Sequence, residues 1–393
     1  MREHGFQALL AGGCVRDMLL GRKPNDFDVA TDARPPQIIS LFKRTLKIGA
    51  KFGVVVIQMD KYQVEVATFR SESDYTDGRH PANVEFSSEK QDALRRDFTV
   101  NGMFYDPIEH KVIDYVSGQG DLKRSLIRTI GKPSERFAED YLRMLRAVRF
   151  SAQLDFTIEP LTFSAIYTHA GKITKISGER ISMELEAILT DANRKQGAVL
   201  LLETDLAKAV FPALSNADIT LGAEVLATLT GTVDYPLALA GFLVDSQTRE
   251  AMQNCKLLRL SRSRTRHLKF LLDNRGMLLN HKMPLSQLKL TAAKPYFEDL
   301  YQLQKAIQKA RNQSMYTLKQ LRRRVNELDE SQLSPEPLLN GHQIIELGAS
   351  KGPRLGRLAR EMYIAQLEGE IKTAEQARKW VRKWLQRHKK IDA

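Results

Sequence analysis

The spacing of apolar residues changes once along this chain, at Gly131-Lys132-Pro133, and that change limits the possible folds more than any other feature. Before it, short apolar runs rich in Val, Ile, Thr and aromatics alternate with turn signals. Ala8–Ala11 ends in Gly12-Gly13, and Phe27–Ala30, Val54–Met59 and Tyr62–Phe69 follow. Such runs, with period-2 alternation in places, predict strands. Val54–Met59 and Tyr62–Phe69 are joined by Asp60-Lys61 and predict a hairpin. Helical patterns at Val15–Leu20 and Pro35–Phe42 lie between the strands, the second opened by a Pro pair. After Pro133 apolar residues recur at three- and four-residue steps over Ala138–Gln153, Gly178–Thr190, Arg194–Thr204, Pro236–Val244, Lys256–Leu272 and Thr373–Gln386. The expectation is an α+β protein: a mixed-sheet head over 1–133, then helical segments over 134–211, 212–275 and 276–393.

Charge follows the same division. Residues 1–133 carry 20 basic and 18 acidic side chains, whereas the remaining 260 carry 40 and 29. An excess of this kind points to a polyanionic partner, nucleic acid before an anionic membrane surface. Three clusters concentrate it, Arg259–Lys269, Arg322–Arg324 and Arg378–Lys390. Each alone is more often a solubilising face; a grip on a phosphate backbone needs such clusters. Trp380 and Trp384 are expected to anchor the last helix in its core rather than to stack on RNA. Cys14 and Cys255 cannot form a disulfide framework or a thiol metal site. No apolar run approaches a membrane span, and the N-terminus has no adequate signal-peptide core, so a soluble cytoplasmic protein is expected.

The sharpest local signal is GGCVRD at Gly12–Asp17 followed by DFD at Asp26–Asp28. Paired glycines let a phosphate approach the backbone, and the helix that follows aims N–H groups at the anion. Arg16 adds a charged donor. Asp26 and Asp28, two residues apart on a strand, face the same side and can share divalent cations, with Mg2+ the natural choice for hard oxygens and a triphosphate. A lone Asp-x-Asp is usually a solvated strand end; the glycine turn, helix and carboxylate pair in 17 residues together describe a two-metal nucleotidyl-transfer site. Glu65, on a neighbouring strand, either completes that site or is an ordinary exposed strand residue.

These segments, together with VEVATFR, DGRHPANVEF, RRDFTVNGMFYDP and FAEDYLRMLRAVRF, resemble the bacterial class II tRNA nucleotidyltransferases of the polymerase-β-like superfamily. The strong resemblance covers about residues 8–190, and Pro337–Ile371 resembles the family tail more loosely. It implies a nucleotidyltransferase head followed by an all-α neck, body and tail, tRNA as partner, and CTP and ATP as substrates. It implies that Gly13 and Arg16 hold the triphosphate, Asp26 and Asp28 bind Mg2+, and Arg96 contacts the nucleotide. Asp140 and Arg143 of the EDxxR motif would select the base, Arg146 and Arg149 would serve the same pocket, and the Glu179-Arg180…Glu184 helix would buttress it. At i and i+3 on a helix, Asp140 and Arg143 are expected to share a face; the plainer alternative is an intrahelical ion pair. Arg146 and Arg149 reach phosphates or form a solvated basic face, and Arg95 is expected to pair with Asp92 or Asp97. The polar segment Ser71–Asn83 reads as a mobile loop. In the family such a loop serves the change from cytosine to adenine, which argues against a CC-only enzyme.

CCA addition or addition of the terminal A is therefore expected. A poly(A) polymerase ranks lower, since the longer insertion that goes with that branch is missing between TFR and RRDF. A non-catalytic tRNA-binding protein is disfavoured by the intact Asp26, Asp28, Asp140 and Arg143. No His-Asp doublet suggests an attached phosphohydrolase. Oligomeric state is left open.

Overall fold

A computed structural model describes residues 1–46, 53–60, 62–75, 81–214 and 216–388. It forms two compact units, one of residues 1–227 with 231–265, the other of 228–230 with 266–393.

The first unit opens on a seven-stranded mixed sheet. Its strands are β1 (Leu9–Ala11), β2 (Asp28–Thr31), β3 (Thr45–Leu46), β4 (Val54–Met59), β5 (Tyr62–Thr68), β8 (Phe104–Asp106) and β9 (Lys111–Ile113), in the order β3-β4-β5-β2-β1-β8-β9. β2 and β5 run parallel, which sets Asp28 beside Glu65, and the other neighbours are antiparallel. The expected β4–β5 hairpin is present, with Met59 opposite Tyr62; Lys61 lies outside the described residues. One apolar cluster joins Leu9, Ala11, Ala30, Phe69, Ala93 and Phe104; another joins Ala33, Ile38, Val55, Ile57 and Val66. Helices α1 (Gly13–Leu19), α2 (Pro35–Leu41), α3 (Glu89–Arg95) and α4 (Gly118–Lys123) complete the head. Pro35 and Pro36 sit in the first turn of α2, where a missing N–H costs nothing. Ser88 and Gln91 form a capping box that starts α3.

The reading of Ser71–Asn83 as a loop needs correction. Strands β6 (Arg70–Tyr75) and β7 (Pro81–Phe86) pair antiparallel as a separate two-stranded ribbon, and its tip, 76–80, is outside the described residues. The polar run Ser71–Asp74 with Gly78 and Pro81 reads as a loop, but Ala82, Val84 and Phe86 alternate along β7, which is a strand signal.

Among the described residues past Pro133 the chain is helical, as expected, except that a two-residue strand β11 (Thr157–Ile158) pairs parallel with β10 (Leu126–Ile127). α5 (Pro133–Glu139), α6 (Leu142–Leu154), α7 (Pro160–His169) and α8 (Gly178–Leu189) follow. The helix expected over Ala138–Gln153 is in fact two, broken at Asp140. α6 is buried nearly all round, with Met144, Leu145, Ala147 and Val148 fully enclosed. Asp155 ends it in the left-handed conformation, φ 60°.

The second unit packs helices including Phe297–Ala310, Tyr316–Asn326, Pro353–Glu368 and Ala374–His388. One of its cores gathers Leu339, Ile344, Leu358, Met362, Ala377, Val381 and Trp384, with Trp380 partly buried against it, so both tryptophans anchor the last helix. The basic clusters are partly neutralised by neighbours: Arg259 pairs with Glu179, Arg264 with Glu186, and Arg322 with Glu298. Residues 389 and 390 of the last cluster lie outside the described residues. Among the described residues no helix is long and apolar enough to cross a membrane.

Phe104 is fully enclosed, meets Phe69 edge-on at 5.9 Å and lies under the Arg96 guanidinium at 5.0 Å. Phe104→Ala is expected to cost about 3–5 kcal/mol in urea unfolding; a loss below about 1 kcal/mol would show that the sheet does not depend on this contact.

Candidate active site

A cleft of about 590 Å³ opens between the head sheet and α6 and α8. Its lining includes Gly12, Gly13, Arg16, Asp26, Asp28, Arg96, Asp140, Arg143, Arg146 and Arg149. Of the residues expected from sequence to serve this pocket, Glu65, Glu179 and Glu184 are absent from that lining; Glu65 sits beside Asp28 in the parallel register.

At the head end, β1 delivers the chain into the glycine turn. Gly12 has φ 74° and ψ −130°, a backbone that only glycine adopts without strain, and a Cβ there would lie 3.1 Å from Arg96 Nη1. Gly13 begins α1, and a Cβ on it would meet Arg16 at an ordinary 3.7 Å. The special conformation thus falls on the first glycine. Arg16 is aimed by two neighbours: its Nε donates to Asp17 at 2.8 Å and its Nη1 to Asn101 Oδ1 at 2.8 Å. Asn101, buried and four residues past Asp97, was missed in the sequence; the RRDFTVN segment contained it, but nothing in its spacing singled it out.

β2 starts at Asp28, so Asp26 lies just before the strand rather than in it. The two carboxylates still line one cleft. Burial pushes the Asp28 carboxyl up to about 6, Asp26 and Glu65 push the same way, and Arg96 opposes them. Hard oxygen donors that repel one another across a partly buried site suit a divalent cation, which would offset the charge.

α3 ends in Arg95, with Arg96 as its C-cap, and Asp92 holds both, at 2.7 Å and 2.9 Å, so Arg95 pairs with Asp92. Burial alone would raise the Asp92 carboxyl, but Arg96 and Arg95 outweigh it and hold it below the ordinary carboxylate range. Asp97 is similarly held low by Arg146, against its burial.

Across the cleft, the break between α5 and α6 places Asp140 off the helix that carries Arg143. Asp140 accepts from the Leu142 N–H at 3.0 Å and forms a two-pronged pair with Arg180 at 2.7 and 3.3 Å. Arg143, whose side chain is buried, donates through Nη1 to Glu139 at 2.5 Å and to the Arg136 carbonyl at 2.9 Å. The two are therefore neither an intrahelical pair nor neighbours on one helical face; they converge from different supports. Arg146 pairs with Asp97 at 2.6 Å and Arg149 with Glu184 at 3.1 Å, and both lie over the Phe150 ring. These two form no solvated basic face. The α8 residues Arg180 and Glu184 do brace the cleft.

One cleft thus sets paired carboxylates beside a glycine turn against a helical wall of arginines. Residues 8–128 match the family described as Poly A polymerase head domain, and 155–218 match the probable RNA and SrmB-binding site of polymerase A. A CCA-adding enzyme of Staphylococcus saprophyticus is 33% identical over 97% of this chain and 96% of its own length. One of Bacillus pumilus is 44% identical over 207 residues, 52% of each chain, so the match spans about half the length of that relative. The crystal structure of the Bacillus stearothermophilus CCA-adding enzyme in complex with CTP superposes with a TM-score of 0.81 and 28% identity, covering 99% of this chain and 96% of that one. The chain belongs to the class II tRNA nucleotidyltransferase family.

Asp92→Asn removes the charge that Asp92 sets against Arg95 and Arg96 and is expected to cost about 2 kcal/mol at pH 7. Because the folded carboxyl titrates below its unfolded value of about 3.9, the difference from wild type should be full above that value and shrink as pH falls through it. Denaturation series at pH 7, 5 and 3 check this; a difference that grows toward low pH would contradict the pairing.

Proposed function

We propose that this chain adds CCA to the 3′ end of tRNA, using CTP and ATP and no nucleic-acid template. The observation that carries the reading is one cleft with a carboxylate pair at one end and Asp140 with Arg143 at the other, framed by arginines. The likeness to CCA-adding enzymes along the whole chain supports it.

In this reading the terminal hydroxyl of tRNA attacks the α-phosphate of the bound nucleotide in line and pyrophosphate leaves. Asp26 and Asp28 would hold divalent cations, Mg2+ by the hardness of the donors, which supply acidity to the hydroxyl and charge to the triphosphate. Glu65 adds negative charge beside Asp28 and favours its holding a cation. Gly13 and Arg16 receive the triphosphate, and Arg96 contacts the nucleotide. Arg146 and Arg149 line the same cleft with charge fixed by Asp97 and Glu184.

Base choice follows from hydrogen-bond complementarity. Cytosine presents an N4 amino group and an N3 acceptor; adenine presents N6 and N1 in the matching places. Asp140 accepts from the amino group and Arg143 donates to the ring nitrogen, so one pair serves both bases. Uracil and guanine present the opposite pattern and would leave buried polar groups unpaired. The bonds Arg143 already makes use Nη1, which leaves other donors on its fork.

Within the two compact units we keep the finer division into a head (1–133), neck (134–211), body (212–275) and tail (276–393), with the tail as a tRNA-binding segment. A cytoplasmic location accords with a substrate set of tRNA, CTP and ATP.

The test supplies tRNA ending before CCA, after C or after CC, with single labelled nucleotides. Incorporation of C onto the shortest end and A onto the CC end is expected. A added to the CC end alone would mean a terminal-A enzyme, long A tails a polymerase, and no product a binding protein. Asp28→Ala is expected to abolish incorporation while tRNA affinity stays within about twofold of wild type; equal loss of both would make Asp28 structural. Arg143→Ala should admit UTP and GTP, with a discrimination ratio lowered at least about tenfold; unchanged ratios would remove Arg143 from base choice.

A further inference from the structure

Arg136, on α5, belongs to none of the segments that announced the site, and its side chain does not line the cleft. It nevertheless reaches the backbone that carries Arg96 and the carboxylate that holds Arg143. Its Nη2 donates to the carbonyl oxygens of Arg95 and of Arg96, the latter at 2.7 Å. These carbonyls lie at the C-terminal end of α3, where a helix leaves its last acceptors unsatisfied and partly negative. Nη1 of the same guanidinium donates to Glu139 Oε2. That oxygen also receives Arg143 Nη1, at 2.5 Å, and Arg143 Nη1 donates in turn to the Arg136 carbonyl at 2.9 Å. The Arg136 and Arg143 side chains are 11% and 10% exposed, so these bonds are shielded from competing water.

We infer that Arg136 is a positioning residue for nucleotide choice, fixing the backbone that carries Arg96 to the carboxylate that aims Arg143. The inference rests on the proposed roles of those two arginines and adds the link between them. Three acceptors in fixed directions need a planar fork; an ammonium offers a point charge and cannot reproduce the set. Were the link lost, Arg143 would keep its charge but not its direction, and Arg96 would swing with the end of α3. A displacement near 1 Å at a reading pair can cost as much as about a hundredfold in rate. The loss falls on discrimination because a misdirected donor no longer penalises the wrong base edge.

Arg136→Gln, Arg136→Lys and Glu139→Gln are compared with wild type in single-nucleotide addition to tRNA, together with thermal unfolding and tRNA affinity. In Arg136→Gln the ratio of kcat/KM for CTP over UTP should fall at least about tenfold, and KM for CTP should rise more than kcat falls. tRNA affinity should stay within about twofold. Arg136→Lys should recover thermal stability while its CTP-over-UTP ratio stays at least about threefold below wild type. Glu139→Gln, which keeps Arg136 on the carbonyls, should lower the same ratio. Should Arg136→Gln fail to fold, the other two variants carry the test. Folded variants whose discrimination matches wild type, with only thermal stability reduced, would overturn the inference and leave Arg136 a structural clip. A wild-type protein that incorporates neither CTP nor ATP would instead remove the activity on which it rests.

Discussion

Guanidinium groups repel one another, and a cleft that gathers seven of them exists only because acids stand behind them. Two unit charges ~6 Å apart at an effective dielectric of ~20 repel by about 3 kcal/mol. Asp92, Asp97, Glu139, Asp140 and Glu184 each take one or two of these arginines and hold them in direction as well as in place. Burial gives the arrangement its stiffness. Burial pushes the Glu184 carboxyl up despite Arg149 and Arg146, whereas Arg146 outweighs the same cost at Asp97. The result is a positive wall whose geometry is set before any polyanion arrives, so little reorganisation is left for the moment of binding.

The opposite end of the cleft has the reverse problem. Asp26, Asp28 and Glu65 concentrate negative charge, and burial first, then Asp26 and Glu65, raise the Asp28 carboxyl. Arg96 stands between the two regimes, held by Asp92 on one side and felt by Asp28 on the other. The proposed chemistry needs both fields in one place, one for the metal ions and one for the phosphates.

The parts of this arrangement that sequence revealed are those whose chemistry demands a residue type at short range. The glycine turn, Arg16 and the Asp-x-Asp pair lie within 17 residues and need no knowledge of packing to be read together. The head's apolar alternation and the helical run past Pro133 were legible for a similar reason: burial imposes a period. What escaped depends on tertiary partners. The break at Asp140 rests on its bonds to the Leu142 N–H and to Arg180, forty residues on, and a continuous apolar spacing across it gave no warning. Asn101 and Arg136 are ordinary residues until the fold brings Arg16 and the end of α3 to them. In the β6–β7 ribbon, the polar β6 and the turn residues Gly78 and Pro81 mask the short alternation of Ala82, Val84 and Phe86 in β7.

The parallel register of β2 and β5 has a consequence for how such a chain can diverge. Strand side chains alternate faces, so inserting or deleting one residue inside β5 would replace Glu65 beside Asp28 with Val64 or Val66. An acid would leave the side that carries Asp28 and an aliphatic group would enter it, while a core valine turned outward. Point substitutions along these strands can be absorbed one at a time, but changes of length cannot. Descendants of this sequence are therefore free to grow or shrink between strands, and the strands themselves act as a fixed ruler.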